Sequence, residues 1–203
     1  NNMLQLNRGA SVFSEIAQFA GIANTDWSWA PLLADFDNDG MKDLFITNGI
    51  KRDMTDNDFK NYLKKKAQEG AMNLEELFKA IPSRKVRNYF FKNEAETVFK
   101  NVSSEWLEER AINSNGAAYG DLDNDGDLDL IVNNLEDYAS LYENQTQNNN
   151  LSIRLVGPKM NVLGIGAKVI IETDKEKQYY EHFLNRGFQS SVAPGIIAGI
   201  GRS

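Results

Sequence analysis

Two acidic nonapeptides constrain the fold of this chain more than any other feature. The first acidic loop, DFDNDGMKD, covers residues 35–43, and the second, DLDNDGDLD, covers residues 121–129. An apolar run follows each loop at once. Carboxylates packed so closely repel one another, so the pattern is unfavourable unless a positive charge lies among them. The sequence therefore predicts two turns that are each built around a cation.

The spacing within each loop indicates which cation this is. Carboxylates stand at positions 1, 3, 5 and 9, a glycine stands at position 6, and position 7 offers its backbone carbonyl. Ca²⁺ takes several hard oxygen ligands, and the glycine permits the sharp turn that collects them. The alternative is an ion-free polar turn, because Asp, Asn and Gly favour turns in any case. The predicted ligands of two Ca²⁺ ions are Asp35, Asp37, Asp39, Met41 and Asp43, and Asp121, Asp123, Asp125, Asp127 and Asp129, with Met41 and Asp127 using their carbonyl oxygens.

An EF-hand does not explain these loops. Its bidentate glutamate would fall at position 12, where Ile46 and Val132 stand. Strand-forming residues rather than a helix follow each loop, as in DLFIT and DLIVNN. We therefore expect each loop to connect two strands.

The chain repeats itself around the loops. A shift of 86 residues superposes them and their flanks without a gap from Phe13 to Asp43. A second marker, an apolar run that ends in asparagine, recurs at Asn7, Asn93 and Asn144. These spacings place about 35 extra residues in the first unit, and repeats near 50 residues built from short strands are typical of propeller blades.

The extra residues have a helical pattern. Phe59, Tyr62, Leu63 and Ala67 share one helical face, with Thr55 or Asp56 as N-cap and Gly70 as terminator. A second helix is predicted to begin at Asn73 and to end before Pro82, with an apolar stripe that includes Leu74 and Phe78. We interpret this segment as a helical hairpin that covers one face of the sheet.

The predicted fold class is mainly β. It combines a partial β-propeller, an inserted helical hairpin and a small C-terminal all-β module. Exposed strand edges would favour self-association of such a chain. The expected domains are a first blade at 1–50, the helical insertion at 51–88, a second blade at 89–147 and the β-module at 148–203.

The two repeat units resemble FG-GAP or VCBS-type repeats, the calcium-loop blades that integrin α-subunits also contain. The segment from LSIRLVGP to GIIAGIG is similar to the ASPIC/UnbV domain of cartilage-acidic-protein-like proteins. The residues that carry this second resemblance are Asn161, Gly164, Ile165, Gly166, Ala167, Val169, Gly187, Gln189, Ser190, Gly199 and Gly201. We expect the chain to be part of a larger bacterial surface protein of this type.

The resemblance implies Ca²⁺ at the eight carboxylates of positions 1, 3, 5 and 9, and it implies no catalytic activity. One departure is visible, since Lys42 replaces the Leu128 of the second loop and lowers the negative charge of the first. We therefore expect the first site to bind Ca²⁺ more weakly.

Composition excludes several functions. The net charge of −7 arises from 29 acids against 22 bases, and nine of the acids lie in the two loops. The sequence has no basic stripe or arginine cluster, which disfavours nucleic-acid binding. Cysteine is absent, which excludes disulfides and thiolate metal sites. No apolar run is long enough to cross a membrane.

The leading functional hypothesis is a non-catalytic, calcium-binding module of an extracellular protein or of the bacterial cell surface, which recognises a protein or a glycan. Millimolar extracellular Ca²⁺ would keep such loops filled. The alternative is a carbohydrate-binding or carbohydrate-processing part of a larger surface enzyme. Its discriminating residues are Trp27 and Trp29, which would have to lie exposed beside a cleft to stack on a sugar.

Overall fold

The computed structural model describes residues 1–70, 73–95, 97–174 and 177–201, and it is mainly β, with 36% strand and 12% helix. The strands are β1 (Gln5–Asn7), β2 (Phe13–Glu15), β3 (Ser28–Ala34), β4 (Asp43–Asn48), β5 (Tyr89–Ala95), β6 (Val98–Asn101), β7 (Ser114–Gly120), β8 (Asp129–Asn134), β9 (Ser140–Tyr142), β10 (Asn149–Ile153), β11 (Lys168–Glu172), β12 (Lys177–Glu181) and β13 (Ile196–Gly201). The helices are α1 (Asn57–Glu69), α2 (Leu74–Ala80) and α3 (Ser103–Trp106).

The strands form several small antiparallel sheets. The largest has the order β3-β4-β5-β6, and β7-β8-β9 form a three-stranded sheet. Three two-stranded sheets pair β1 with β2, β10 with β13 and β11 with β12. No closed propeller is present in the part of the chain that the structure describes.

The four-stranded sheet is covered on both faces. One cluster, which includes Leu32, Phe45 and Val132, joins it to the sheet β7-β8-β9. A second cluster on its other face joins Ile46 and Phe91 to the apolar residues that follow β2. Every residue of β4 is buried, whereas β8 alternates between buried and exposed. The alternation of β8 is typical of a sheet that is packed on one face only.

The hydrogen-bonded sheets do not begin and end at the residues where the sequence repeat units do. Strands β3 to β6 span residues 28–101 as one hydrogen-bonded sheet, so the boundary predicted at residue 50 falls inside it. The helical insertion accordingly connects two adjacent strands, β4 and β5, of a single sheet. A sequence period fixes the length of a repeat but not the residue at which each sheet begins, so the domain boundaries stay a prediction.

The insertion contains the two predicted helices. Asp56 caps α1 by accepting a hydrogen bond from the Phe59 N–H, and Gly70 ends this helix in the left-handed conformation. Asn73 caps α2 through the N–H of Glu75. Phe59 is buried, but no residue of α2 is. Leu74 and Phe78 are exposed, so α2 does not cover the sheet as the helical pattern suggested.

The remaining strands form the C-terminal module. Strands β10 and β13 pair around a small apolar cluster that includes Ile171, Ile196 and Ala198. Only strands and loops occur among the described residues of 148–174 and 177–201, in agreement with the predicted all-β module. Among all the residues with a described position, no helix is long and apolar enough to cross a membrane.

Candidate metal centres

Each acidic loop connects two strands, as the sequence predicted. The first joins β3 to β4 and the second joins β7 to β8. Asn38 and Asn124 have φ values of 56° and 64°, and Gly40 and Gly126 have φ values of 99° and 92°. Asparagine and glycine tolerate this left-handed conformation better than other residues, which is why both loops carry them at these positions.

The first and last carboxylates of each loop hold the turn together. Asp35 accepts a hydrogen bond from the Gly40 N–H at 3.0 Å, and Asp121 accepts one from the Gly126 N–H at 3.2 Å. Asp43 accepts from the Phe36 N–H in the same way as Asp129 accepts from the Leu122 N–H. The two loops therefore share one backbone conformation.

The structure brings together three of the predicted side-chain ligands in each loop. Asp35, Asp37 and Asp39 each place one carboxylate oxygen within 4.8 Å of the others, and Asp121, Asp123 and Asp125 do the same. Oxygen atoms at this mutual distance can share one cation of the hard type that carboxylates prefer.

The predicted position-9 ligands are engaged elsewhere. Asp43 and Asp129 lie outside the two three-residue groups. Each accepts a second hydrogen bond, from the Asn93 N–H in the first case and the Asn144 N–H in the second, both at 2.9 Å. Their role as ligands stays a prediction, as does the role of the Met41 and Asp127 carbonyl oxygens.

The repeated asparagine has a structural function that the sequence did not reveal. The Asn93 side chain donates to the Lys42 carbonyl at 3.2 Å, and the Asn144 side chain donates to the Leu128 carbonyl at 3.1 Å. Through these side-chain bonds and their backbone N–H groups, the two asparagines hold each acidic loop against the segment that contains them, which is β5 for Asn93 and the residues after β9 for Asn144. Two of the three copies of the marker, Asn93 and Asn144, thus hold an acidic loop, whereas Asn7 accepts a hydrogen bond from the Gly9 N–H.

One buried carboxyl oxygen of the converging group in the second loop lacks a hydrogen-bond partner. Among the described residues, no partner is found for Oδ1 of Asp121. The Asp127 carboxylate, only 2% exposed, is contacted by the Thr146 N–H and the Asp125 side chain, outside ideal hydrogen-bond geometry. A buried carboxyl oxygen without a partner is costly, and a cation held by Asp121, Asp123 and Asp125 would offset that cost. The donor set of the second loop therefore fits a hard divalent cation such as Ca²⁺.

Burial raises the pKa of three carboxyl groups in the loops. The pKa of Asp43 is raised to about 8 and that of Asp35 to about 6, through burial first and then through repulsion by neighbouring carboxylates, against the lowering effect of backbone hydrogen bonds. Burial, together with the charges of Asp125 and Asp129, raises the pKa of Asp127 to about 7. Without an ion, these groups hold protons more strongly than they do in the unfolded chain.

The ion-free protein is expected to lose stability as pH rises from about 4 to about 8, because the folded state binds more protons than the unfolded chain in that window. Bound Ca²⁺ should reduce this loss only by the share that the second loop contributes, since an ion there replaces protons of that loop. Thermal unfolding of metal-free protein at the two ends of the window, with and without added Ca²⁺, measures the effect. A midpoint that rises with pH in the metal-free protein would contradict it.

Lys42 lies beside the C-terminal module. Its Nζ donates to the Tyr179 carbonyl at 2.7 Å and lies 4.5 Å from the centroid of the Tyr180 ring. Burial and the charge of Arg186 lower its pKa. The ammonium that contacts the carboxylates of the first loop belongs instead to Lys92, in β5, which the sequence reasoning missed. An alignment of the two repeats on Asn93 and Asn144 would have drawn attention to this lysine.

The C-terminal module docks on the first loop. The Gly199 N–H donates to Asp35 Oδ2 at 2.9 Å, and the Gly201 N–H donates to the Asn38 carbonyl at 3.0 Å. A Cβ atom on Gly199 would lie 2.2 Å from the carbonyl carbon of Asn38. Only glycine permits so close an approach, which gives a physical reason for a glycine at this position.

A cleft of about 1410 Å³ lies between the sheets and the C-terminal module. Its walls include Trp29 and the single histidine, His182, which is buried. The indole N–H of Trp29 donates to the Gly49 carbonyl at 2.6 Å, and the ring packs on Phe188 at 4.7 Å between centroids. Trp27 is 40% exposed. The two tryptophans therefore do not form a pair of free stacking surfaces.

Comparison with known families supports the C-terminal resemblance. The model of the family described as ASPIC and UnbV matches residues 157–203, which lie within the predicted β-module. The C-terminal segment is thus similar to this family, and the resemblance read from its glycines is confirmed. No curated protein matches the chain.

Proposed function

We propose that this chain is a calcium-binding, non-catalytic recognition module of an extracellular or cell-surface protein. The observation that carries the proposal is the second acidic loop. Three of its carboxylates, those of Asp121, Asp123 and Asp125, converge, and Oδ1 of Asp121 is buried without a partner among the described residues. Ca²⁺ would neutralise these charges and fix the turn, so it would act as a structural ion.

The same proposal assigns the loops to FG-GAP or VCBS-type blades of a β-propeller. Stacked antiparallel sheets, each with an acidic loop between two strands, support this assignment. The burial of β4 on both faces is what a blade between two neighbours requires, and the exposed Ile131 and Leu141 lie on the sheet β7-β8-β9. That exposed apolar face and the open strand edges would favour self-association.

Recognition of a protein or glycan is proposed for the surfaces that the metal loops support. The cleft of about 1410 Å³ between the sheets and the C-terminal module is a large concave surface, and concave surfaces are the usual location of binding sites. The carbohydrate alternative is weaker, because Trp29 is committed to Phe188 and Gly49. A glycan array probed with and without Ca²⁺ tests whether the recognised ligand is a glycan.

The contacts of the acidic groups support the proposal that the chain is non-catalytic. Asp35, Asp43, Asp121 and Asp129 accept hydrogen bonds from the backbone of their own loops. Carboxylates engaged in this way maintain a turn instead of facing a substrate from separate segments, as the acids of glycosidases do.

Titration of metal-free protein with Ca²⁺ in a calorimeter tests the proposal. We expect saturable binding with a dissociation constant on the order of 10⁻⁴ to 10⁻³ M, the range of extracellular modules. Mg²⁺ should bind more weakly, because it requires a stricter octahedral geometry. Absence of Ca²⁺ binding to the folded protein would refute the proposal.

A further inference from the structure

The two acidic loops differ in the residue that faces them from the neighbouring strand segment. Asn93 and Asn144 occupy equivalent positions, because each donates its backbone N–H to the last carboxylate of its loop. The residue before Asn93 is Lys92, and the residue before Asn144 is Glu143. The equivalent position therefore carries a positive charge at the first loop and a negative charge at the second.

Lys92 reaches the carboxylates that would otherwise hold an ion. Its Nζ forms ion pairs with Asp37 and Asp39, and the distance to Asp39 Oδ2 is 2.9 Å. All three side chains are partly buried. The ammonium is also 6.0 Å from the centroid of the Trp106 ring, which adds a favourable cation–π contact. The Lys92 ammonium, a cation that belongs to the chain itself, thus contacts two of the three converging carboxylates of the first loop.

The remaining carboxylate of that group is also satisfied. Asp35 accepts hydrogen bonds from the backbone N–H groups of Asp39, Gly40 and Gly199. The four carboxylates of the first loop are absent from the buried groups that lack partners, within the part of the chain that the structure describes. The carboxylates of the first loop are therefore paired without any free ion. Among the described residues at this loop, the buried oxygens that lack partners are the neutral amide oxygens of Asn38 and Asn93.

The second loop has the opposite properties. It holds five carboxylates and no basic residue in its sequence, and Glu143 is exposed. Oδ1 of Asp121 has no partner among the described residues. The Asp127 carboxylate, only 2% exposed, is contacted by the Thr146 N–H and the Asp125 side chain but by no ammonium in the described part of the chain. Five neighbouring carboxylates without a tethered ammonium favour a positive charge from solution.

We propose that only the second loop takes a divalent cation from solution, whereas the Lys92 ammonium fills the first loop and holds it in the conformation that docks the C-terminal module. This inference rests on the proposed calcium-binding function and specifies its stoichiometry. A divalent ion can enter the first loop only by displacing the ammonium from Asp37 and Asp39, which weakens its apparent affinity.

Calorimetric titration of the metal-free chain with Ca²⁺ tests the inference through the number of sites. The wild type should bind one ion per chain. Asp125→Asn should abolish binding, whereas Asp39→Asn should leave one site with unchanged affinity. Lys92→Met, which keeps the length of the side chain and removes its charge, should raise the number of sites to two.

A matched control removes a lysine from the adjacent strand. Lys100 is paired with Lys92 across β5 and β6, and it is exposed. Lys100→Met should therefore leave one site. Circular dichroism establishes that each variant is folded. If Lys92→Met does not fold, the wild type and the two aspartate variants still decide the question.

The outcomes separate this inference from the function on which it rests. Two sites of similar affinity in the wild type, or one site that Asp39→Asn removes and Asp125→Asn spares, would overturn the inference and leave calcium binding intact. A folded Lys92→Met variant that still binds one ion would also overturn it. No binding in the folded wild type would refute the proposed function itself.

Discussion

Removal of Ca²⁺ is expected to lower the midpoint of thermal unfolding by about 3 to 10 °C. With a dissociation constant on the order of 10⁻⁴ to 10⁻³ M and about 10 mM Ca²⁺, binding to the folded state alone contributes about 1.4 to 2.7 kcal/mol. For a domain of this size, each kcal/mol moves the midpoint by about 2 to 4 °C. Differential scanning calorimetry with added Ca²⁺ and with a chelator measures the difference.

The double variant Asp121→Ala/Asp125→Ala should lose this dependence on Ca²⁺. In chelator, its midpoint should stay close to that of the wild type, because the relief of carboxylate repulsion offsets the loss of the hydrogen bonds that Asp121 accepts from the Gly126 N–H and Asp125 from the Asp127 N–H. The matched control is Glu108→Ala/Asp174→Ala, which removes the same charge from two exposed positions and should keep the full Ca²⁺ effect. A double variant that Ca²⁺ still stabilises would place the ion elsewhere.

Gly199→Ala is expected to destabilise the protein by about 3 kcal/mol, at the upper end of the usual cost of overpacking. The added Cβ would lie 2.2 to 2.4 Å from the carbonyl carbon, Cα and oxygen of Asn38. These are backbone atoms of the first acidic loop, so they cannot rotate away as a side chain would. Either the loop or β13 must move, and the hydrogen bond from the Gly199 N–H to Asp35 is lost.

Urea unfolding measures this effect, and amide hydrogen exchange of β10 and β13 locates it. The control is Ile200→Ala in the same strand, where the side chain is 44% exposed. That substitution should cost less than about 1 kcal/mol, because little buried contact is removed. Equal stabilities of the two variants would show that the C-terminal module does not depend on its contact with the first loop.

Local chemistry explains why several features could be predicted. The insertion helices begin at Asp56 and Asn73 because a side-chain oxygen at those positions can accept a hydrogen bond from the first turn. The first of them ends at Gly70 because glycine adopts the left-handed conformation without strain. Each of these signals acts between residues close in sequence, so a single chain reveals it.

Contacts between distant residues were harder to predict. The apolar stripe of α2 suggested a covering role, yet Leu74 and Phe78 remain exposed, because a periodic pattern does not specify what lies opposite. The sequence also did not show at which residue of the repeat each sheet begins. Hydrogen bonding between β4 and β5 across the insertion determines where the sheet begins and ends, and no local residue encodes it.

The sequence by itself determined the two acidic turns, the helical insertion and the mainly β character, because spacing, capping and turn chemistry are local properties. The sequence also indicated through Lys42 that the loops are unequal, but only the tertiary structure showed that the ammonium at the first loop is that of Lys92. Lys92 lies 55 residues from Asp37 in the chain, and Gly199 lies 164 residues from Asp35. Whether a carboxylate faces a tethered ammonium, a backbone N–H or no partner depends on how distant strands pack, and local sequence signals do not encode this packing.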